Sequence, residues 1–345
     1  MLDIKQNVSL RDLNTFHIDI CARYFVEIRC ADDIYQVLDS DIYRNNVHFI
    51  LWWWANVLFK SDFNGLIIKV CILWTEIIRE DQNEVIIKVW AWENRHQFVM
   101  QCVENNYGLI ENLVYIPWTV WACPVQNIWA YGADVSQSIN HVFGINLDSK
   151  TEIVLNNAEC KFSERNSIFK DELKNKFLIT HVSFKLKKVN SGYKLNSNYK
   201  DVLKKIKDSH SEEKDLSIKD IANIIMEIRK DKLPDRHQLG NAWSFFQNPI
   251  ISKEKYLAIQ KRHSNLVWFD IDQNNIKLSA GQLIEICGFK WCKIGDAWVY
   301  INHALVLVNY DKAKWEDIAN LAKKIQDKVN DDFDIKLIPE VNYVW

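Results

Sequence analysis

The chain has 345 residues, of which 48% are hydrophobic and 26% are charged. This balance is typical of a globular protein and excludes general disorder. With 43 basic and 45 acidic residues the formal net charge is -2, so charge favours neither nucleic acid nor a membrane surface as a partner. The chain has 9 glycines and 15 tryptophans. About 24 glycines would be ordinary for this length. The chain is therefore poor in glycine and at the same time rich in tryptophan.

The cysteines and the first residues indicate a cytoplasmic protein. The eight cysteines form no CxxC pair and the histidines lack HxxxH spacing, so we expect free, buried thiols and no metal site. Residues 1–16 include Asp3, Lys5, Arg11 and Asp12 without an apolar core, which argues against a signal peptide. The apolar stretch 49–59 is too short to span a bilayer.

The first 190 residues are dominated by predicted strands. Runs rich in Val, Ile and Phe, separated by Asn, Asp, Gly or Pro, are typical of short strands. Apolar residues recurring at three and four predict helices between them. The predicted strands are 24–30, 48–51, 65–70, 84–92, 151–156 and 177–186, and the predicted helices are 32–39 and 93–106.

The pattern changes after the polar stretch 187–200, where we place a domain boundary. A charged helix is predicted over 199–214, and a second over 217–234, with Ser217 as its N-cap and Pro234 at its end. The end of the chain predicts a strand at 304–309, a helix at 315–333 and a strand at 335–344. These elements predict an α+β chain of two or three domains.

Four segments have a polarity that amphipathic packing does not explain: 50–59, 115–135, 232–249 and 337–344. Taken singly, each has an ordinary structural interpretation. Pro and Asn serve turns, a lone Ser caps a helix, and a lone Glu lies on a solvated strand face. No GxGxxG motif supports a Rossmann site.

Taken together, the segments resemble the UDP-N-acetylenolpyruvoylglucosamine reductase family, which are flavoenzymes of peptidoglycan precursor synthesis. The family motifs GGGSN or GGGAN followed by VL, IPGTVGA and PVQNIGAYG correspond here to WWWANVL, IPWTVWA and PVQNIWAYG. The family motifs SIFK, KLPDP, GNAGSFFKNP and SAGWLIE correspond to SIFK at 167–170, KLPDR at 232–236, GNAWSFFQNP at 240–249 and SAGQLIE at 279–285. The resemblance runs from 14 to 341, and its order and spacing are highly specific.

The resemblance implies a fold, cofactors and a substrate. The expected fold is α+β, with a two-part FAD-binding domain of the vanillyl-alcohol-oxidase type followed by a smaller α+β substrate domain. FAD and NADPH are implied, with UDP-N-acetylglucosamine enolpyruvate reduced to UDP-N-acetylmuramate by a monomer that binds neither nucleic acid nor membrane. The expected parts are FAD subdomain 1 (1–70), FAD subdomain 2 (71–200), the UDP-sugar domain (205–315) and a C-terminal helix and strand carrying Glu340 (316–345).

The resemblance also assigns roles to residues. Ser244 is the implied proton donor, and Arg165 and Glu340 stabilise the enolic intermediate. Among the substrate-binding residues, Tyr199 and Lys232 hold the substrate's carboxylate and diphosphate, and Asn248 lines the same pocket. The implied cofactor-binding residues, whose backbone N–H groups would face the pyrophosphate, are Trp52, Trp53, Trp54, Ala55, Asn56, Pro117, Trp118, Val120, Trp121, Ala122, Cys123, Asn127 and Gly132.

Tryptophan stands at many positions where the family has glycine. Such glycines resemble sites with φ > 0 or close to a phosphate, where a side chain costs about 1–3 kcal/mol. Our hypothesis is that UGA codons, read as glycine in some bacteria, have been written as tryptophan. Two alternatives to the implied reductase function remain open: a cofactor-free, non-catalytic chain, and a flavin oxidoreductase acting on another substrate. The positions are Trp52, Trp53, Trp54, Trp90, Trp92, Trp118, Trp121, Trp129, Trp243, Trp291 and Trp298, with Trp74 and Trp345 added by the same hypothesis.

Overall fold

A computed structural model of the chain describes residues 2–51, 56–189, 192–208 and 216–344. By their internal contacts the residues divide into two compact units. The first unit comprises 1–6, 24–54 and 65–229, and the second unit comprises 7–23, 55–64 and 230–345. The domain boundaries implied by the resemblance stay a prediction.

Helices and strands alternate along the chain. The helices are α1 (Ala31–Asp39), α2 (Asp41–Asn45), α3 (Arg95–Glu104), α4 (Ala122–Gln126), α5 (Lys200–Asp208), α6 (Ile218–Lys232), α7 (Lys253–Gln260), α8 (Ala280–Ile286) and α9 (Trp315–Phe333). The strands are β1 (Ile4–Ser9), β2 (Cys21–Ile28), β3 (His48–Leu51), β4 (Val57–Phe59), β5 (Phe63–Val70), β6 (Thr75–Glu80), β7 (Glu84–Trp90), β8 (Tyr107–Gly108), β9 (Trp129–Ala130), β10 (Ala133–Asp134), β11 (Ile139–Asn146), β12 (Glu152–Asn156), β13 (Phe177–Lys188), β14 (Gly240–Asn241), β15 (Ile250–Ser252), β16 (Trp268–Asp270), β17 (Asn275–Leu278), β18 (Lys293–Ile294), β19 (Ala297–Val299), β20 (Leu307–Asn309) and β21 (Asn342–Val344).

A six-stranded sheet forms the centre of the first unit. Its order is β12-β11-β13-β7-β6, with β8 paired to β13, and its neighbouring strands are antiparallel. The register places Val182 opposite Val142 on one side and Val89 on the other, and all three are fully buried. Such cross-strand rows of β-branched side chains hold the register, because a slip by one residue would turn each to the opposite face.

A second sheet and a helix belong to the beginning of the chain. The sheet has the order β1-β2-β5-β3, in which β3 and β5 are parallel. In α1 the side chains of Ile34, Val37 and Leu38 are buried at the three- and four-residue spacing of one helix face. Each such side chain contributes about 1.5–3 kcal/mol by leaving water.

The second unit contains smaller sheets and the longest helix of the described chain. The sheets are the antiparallel β14-β20-β19-β18, the antiparallel β15-β17-β16 and the parallel pair β21-β4. Helix α9 packs against β18, β19 and β20. Its buried face consists of Ile318, Leu321, Ala322, Ile325 and Val329, which recur at the helical period.

Most predicted elements are confirmed, and the strands predicted at 304–309 and 335–344 are shorter than predicted. Strand 48–51 and helix 315–333 have the predicted bounds. The predicted strand 335–344 is wrong over most of its length, because only Asn342–Val344 is a strand and Pro339 lacks the N–H that a ladder needs. The predicted strand 304–309 shortens to Leu307–Asn309. Of the predicted helix 199–214, residues 200–208 form α5, and residues 209–215 lie outside the described residues.

Two further observations concern the surface and the thiols. Within the described ranges, none of the helices combines the length and the apolar character that crossing a membrane requires. All eight cysteines are free, as predicted. The expectation that they are buried holds for Cys102, Cys123 and Cys160, whereas Cys30 is exposed and the others are half-buried.

Candidate active site

Segment 115–132 of the first unit follows an unusual backbone path. The angle φ is positive at Tyr115 (53°), Trp118 (83°), Asn127 (39°), Tyr131 (49°) and Gly132 (82°). A left-handed conformation is strained for a residue with a Cβ and is natural for glycine. The sequence WTVW therefore places an indole at a position whose backbone favours glycine.

Other tryptophans of the glycine set divide into two groups. Trp243 (φ 56°) and Trp291 (φ 68°) share the left-handed conformation of Trp118. Trp90 lies in strand β7, and Trp121 has φ -48°, so at these two positions the backbone alone does not exclude a side chain. The left-handed backbone is thus confirmed at Trp118, Trp243 and Trp291, whereas at Trp90 and Trp121 the other expectation, closeness to a phosphate, stays a prediction. Trp52, Trp53, Trp54 and Trp345 lie outside the described residues, as does Ala55.

The SIFK motif fixes segment 115–132 from one side. The hydroxyl of Ser167 donates to the carbonyl oxygen of Val125 at 3.0 Å. The ammonium group of Lys170 donates to the side-chain oxygen of Gln126 at 3.0 Å and to the carbonyl oxygen of Arg165 at 2.9 Å. The motif therefore joins segment 115–132 to Arg165 by hydrogen bonds and fixes the backbone of Arg165, which is left-handed with φ 55°.

Three arginines converge on segment 115–132, and each donates to a backbone carbonyl oxygen of it. These bonds run from Arg95 Nη2 to Pro117, from Arg165 Nη2 to Trp129 at 3.1 Å, and from Arg229 Nε to Tyr115 at 2.9 Å. Burial lowers the pKa of Arg95 to about 10, and the charges of Arg229 and Arg165 act in the same direction. Burial likewise lowers the pKa of Arg229. The segment therefore lies in a field of positive charge.

Sequence reasoning found Arg165 but missed the other two arginines. A charged residue in a helical pattern is normally solvated, so neither Arg95 nor Arg229 gave a signal. The one available hint is that Arg229 lies three residues before the predicted Lys232, one helical turn away in α6.

Tyr199 is placed against the same segment. Its ring meets that of Tyr131 edge-on at 5.1 Å and that of Trp129 at 6.5 Å between centroids. Burial raises the pKa of its phenol, and the nearby Asp201 carboxylate adds to the effect. Since Arg165 donates to the carbonyl oxygen of Trp129, the structure brings Tyr199 and Arg165 to one place.

In the second unit, the segments that carry Ser244 and Glu340 pair with each other. The N–H of Glu340 donates to the carbonyl oxygen of Phe245 at 2.8 Å, and the N–H of Gln247 donates to that of Ile338 at 2.9 Å. These antiparallel bonds pair Glu340 with Phe245, the residue after Ser244, so the backbone segments that carry Ser244 and Glu340 are neighbours although the two residues are far apart in sequence. Both side chains are half-buried.

The neighbours of Ser244 hold its backbone on the other side. The N–H of Trp243 donates to the buried amide oxygen of Asn241 at 3.0 Å, which stabilises the left-handed turn immediately before Ser244. The N–H of Phe245 donates to the carbonyl oxygen of Leu305 at 2.9 Å. The serine is therefore fixed by bonds on both flanks, as a group with a precise role in catalysis requires.

Asn56, predicted to bind the cofactor, lies near the same pair of segments. Its carbonyl oxygen accepts from the N–H of Asn342 at 2.9 Å, where β4 and β21 run parallel. Its amide oxygen is buried and has no hydrogen-bond partner within the described chain. A buried acceptor of this kind is costly unless a ligand completes it.

Two predicted substrate-binding residues have different surroundings. The amide oxygen of Asn248 accepts from the N–H of Ala280 at 2.9 Å and so holds the beginning of α8. This leaves the amide NH₂ as the part of Asn248 available for a ligand. Lys232 is the last residue of α6 and is half-buried.

The residues of segment 115–132 fit a bound cofactor that carries a diphosphate. Thr119 Oγ1 and the Nε and Nη1 atoms of Arg95, which can all donate, are buried without a hydrogen-bond partner in the described part of the chain. Asn127 Oδ1 is also buried without a partner, but an amide oxygen only accepts and cannot bind a phosphate oxygen. The N–H groups of 120–123 are already bound to protein carbonyls: Val120 to Glu93 (2.9 Å), Trp121 to Ala91 (2.6 Å), Ala122 to Thr119 (3.1 Å) and Cys123 to Val120 (2.9 Å). Side chains are therefore the open donors beside this stretch.

Comparisons with known proteins identify the family of the chain. The family model for the C-terminal domain of UDP-N-acetylenolpyruvoylglucosamine reductase matches residues 234–344. The UDP-N-acetylenolpyruvoylglucosamine reductase of Flavobacterium johnsoniae is 38% identical over 343 residues, which cover 99% of this chain and 100% of the relative. That of Chromobacterium violaceum is 37% identical and covers 98% of each chain. The crystal structure of the Thermus caldophilus reductase matches with a TM-score of 0.68 at 17% identity over 99% of each chain.

Fold and site together define a flavin-dependent reductase. The chain belongs to the UDP-N-acetylenolpyruvoylglucosamine reductase family. The predicted α+β fold, with its two-part FAD-binding domain and smaller α+β substrate domain, is confirmed. FAD and NADPH are the cofactor and the co-substrate of such an enzyme, which supports the flavoenzyme interpretation over the cofactor-free one.

Proposed function

We propose that the chain reduces the enolpyruvyl double bond of UDP-N-acetylglucosamine enolpyruvate to give UDP-N-acetylmuramate, a precursor of peptidoglycan. FAD supplies the redox chemistry when it is bound, by passing a hydride from NADPH to the substrate. The observation that carries the proposal is the pairing of the Ser244 and Glu340 segments in the second unit. This pairing makes neighbours of the backbone segments that carry the proposed proton donor and the carboxyl group.

The protein's part of the reaction is proton transfer and charge stabilisation. Hydride addition at the β-carbon leaves a carbanion, written as an enolate of the substrate's carboxylate, that must receive a proton at the α-carbon. Ser244 Oγ donates that proton, and its fixed backbone keeps the hydroxyl oriented. A serine hydroxyl is a weak acid and needs neighbours that favour proton donation. Glu340, together with Arg165, stabilises the enolic intermediate.

Arg165 stabilises the negative charge that develops on the substrate's carboxylate. A guanidinium group stays charged and presents two parallel N–H donors, which suits a substrate carboxylate that becomes an enolate. The bonds of Lys170 and Trp129 to the arginine support this role, because they fix where it lies. Tyr199 and Lys232 hold the substrate's carboxylate and diphosphate, and the NH₂ group of Asn248 lines the same pocket.

The test is Ser244→Ala, with Ser264→Ala as the matched control, since Ser264 is exposed in the second unit. Stopped-flow absorbance follows the two half-reactions separately. Reduction of the flavin by NADPH should continue near its normal rate in both variants. Reoxidation by the enolpyruvyl sugar should slow about 10²–10⁴-fold in Ser244→Ala, the usual contribution of general acid catalysis. Ser244→Cys should recover part of it.

Three outcomes would change the assignment. If Ser244→Ala is reoxidised at the parent rate, the proton comes from elsewhere and Glu340→Gln is the next variant. If reduction by NADPH fails instead, Ser244 supports the flavin pocket. If the parent binds FAD but is not reoxidised by this substrate, the proposed reaction is wrong.

We also propose that the enzyme acts as a monomer in the cytoplasm, without nucleic acid or membrane partners. The net charge of -2 supports the absence of nucleic-acid and membrane partners, because it gives no electrostatic attraction to nucleic acid or to an anionic membrane surface. Light scattering of the purified protein measures its oligomeric state, and a mass of twice the chain would contradict the monomer.

A further inference from the structure

Arg95 is a buried cation. Only 1% of its surface is exposed, and it is the first residue of α3. Its Nη2 donates to the carbonyl oxygen of Pro117, while Nε and Nη1 have no hydrogen-bond partner among the described residues. The guanidinium carbon lies 5.8 Å from the centre of the Trp118 ring. The buried thiol of Cys123 also interacts with the guanidinium group, but a thiol is a weak acceptor and leaves donor capacity at Nε and Nη1 for a ligand.

Nothing in the described chain neutralises this charge. No carboxylate in the described ranges forms an ion pair with Arg95. The buried carboxylate of Glu111 is already bound, because it accepts from the hydroxyl of Tyr193 at 2.6 Å and from the N–H of Leu109 at 2.9 Å. A charge taken out of water without a partner is strongly unfavourable, so an arginine kept there points to an anion that arrives from outside.

The surroundings of Arg95 increase its need for an anionic partner. Its neighbours Arg165 and Arg229 are cations as well, and their charges disfavour the charged form of Arg95. The N–H groups of 120–123 are bound within the protein and cannot carry the whole anion. A planar guanidinium matches the oxygens of a phosphate with two parallel bonds, and each such charge-assisted bond is stronger than a neutral one.

We propose that Arg95 is the counter-ion of the FAD diphosphate, which it meets through its free Nε and Nη1 donors. The inference rests on the proposed function, since it takes FAD as the ligand of segment 115–132. The role is one of positioning: the guanidinium fixes the phosphates and, through Pro117, the segment that follows. The indole of Trp118 covers the guanidinium in the structure, so this side chain must move aside as the phosphates arrive.

The experiment compares Arg95→Met and Arg95→Lys with Arg44→Met, whose arginine is an exposed residue of the first unit near Asp39 and Asp41. Fluorescence quenching measures the dissociation constants of FAD and of riboflavin, which has no phosphate. Arg95→Met should weaken FAD about 10- to 100-fold, the usual contribution of a hydrogen bond to a charged group, and leave riboflavin unchanged. Arg95→Lys should retain part of the affinity, and Arg44→Met should match the parent.

A second measurement needs no flavin. Inorganic pyrophosphate should raise the thermal midpoint of the parent and of Arg44→Met, but not that of Arg95→Met, when sodium sulfate at equal ionic strength is the reference. Equal weakening of FAD and riboflavin by Arg95→Met would overturn the proposal, because it would mark Arg95 as a support for Pro117 alone. A parent that neither prefers FAD over riboflavin nor responds to pyrophosphate would overturn it as well. A parent that binds FAD through Arg95 but fails to reduce the enolpyruvyl sugar would refute the proposed function and leave this inference standing.

Discussion

From the left-handed backbone at Trp291 we predict whether glycine or alanine at this position gives the more stable protein, and by how much. Trp291 has φ 68° and is 55% exposed, whereas Trp268, in strand β16, is 41% exposed. Replacing either tryptophan by Gly or by Ala removes a similar indole, so the difference between the two variants at one site isolates the backbone. A left-handed residue with a Cβ costs about 1–2 kcal/mol. Glycine loses about 0.5–1 kcal/mol in extra chain entropy.

The two sites should therefore order their variants oppositely. At Trp291 the glycine variant should be more stable than the alanine variant by about 0.5–1 kcal/mol, the surplus of strain relief over chain entropy. At Trp268 alanine should be more stable than glycine by about 0.5–1 kcal/mol, since a strand offers glycine no relief. Urea denaturation followed by circular dichroism measures both differences as shifts in midpoint at constant slope. An alanine variant at 291 as stable as the glycine variant would refute the steric argument for this position.

Two further predictions concern the codons and pH. If UGA was written as tryptophan, the genomic codons of Trp52, Trp118, Trp121 and Trp243 are all UGA, and UGG codons at these sites would refute the hypothesis. Burial, aided by the charge of Lys88, lowers the pKa of His181 from 6.5 to about 4. The unfolded chain then binds more protons between these values, so the free energy of unfolding should fall as the pH drops from 6.5 to about 4. His181→Gln should flatten this dependence in urea titrations, and an unchanged slope would show that another group causes it.

Elements whose pattern is complete within their own residues could be predicted from the sequence. The helix over 315–333 has its apolar face at the helical period, and the strand over 48–51 consists of residues suited to a pleated surface. The site motifs were also readable, because the order and spacing of WTVW, SIFK and WSFF survive the exchange of glycine for tryptophan.

The extent of the C-terminal strand was determined by pairing between distant segments and could not be predicted from the local pattern. The apolar run 335–344 predicts a strand, but its partner is the irregular stretch after Ser244, so most of it forms single bonds instead of a ladder. Those bonds pair Glu340 with Phe245, the residue that follows Ser244. Propensity acts over a few residues, whereas the neighbour of a strand is chosen by the rest of the fold.

Burial of charge was likewise decided by tertiary structure. The sequence predicts a helix over 93–106 from the spacing of its apolar residues, and the structure begins this helix at Arg95, with Asn94 as its N-cap. Only the fold determines that this first turn lies beneath Pro117 and Trp118, where water is excluded and no carboxylate of the described chain pairs with it. The electrostatic environment of a charged group depends on all the elements packed around it. The sequence therefore shows that residue 95 is a cation, and only the tertiary structure shows that this cation is buried without an anionic partner in the described chain.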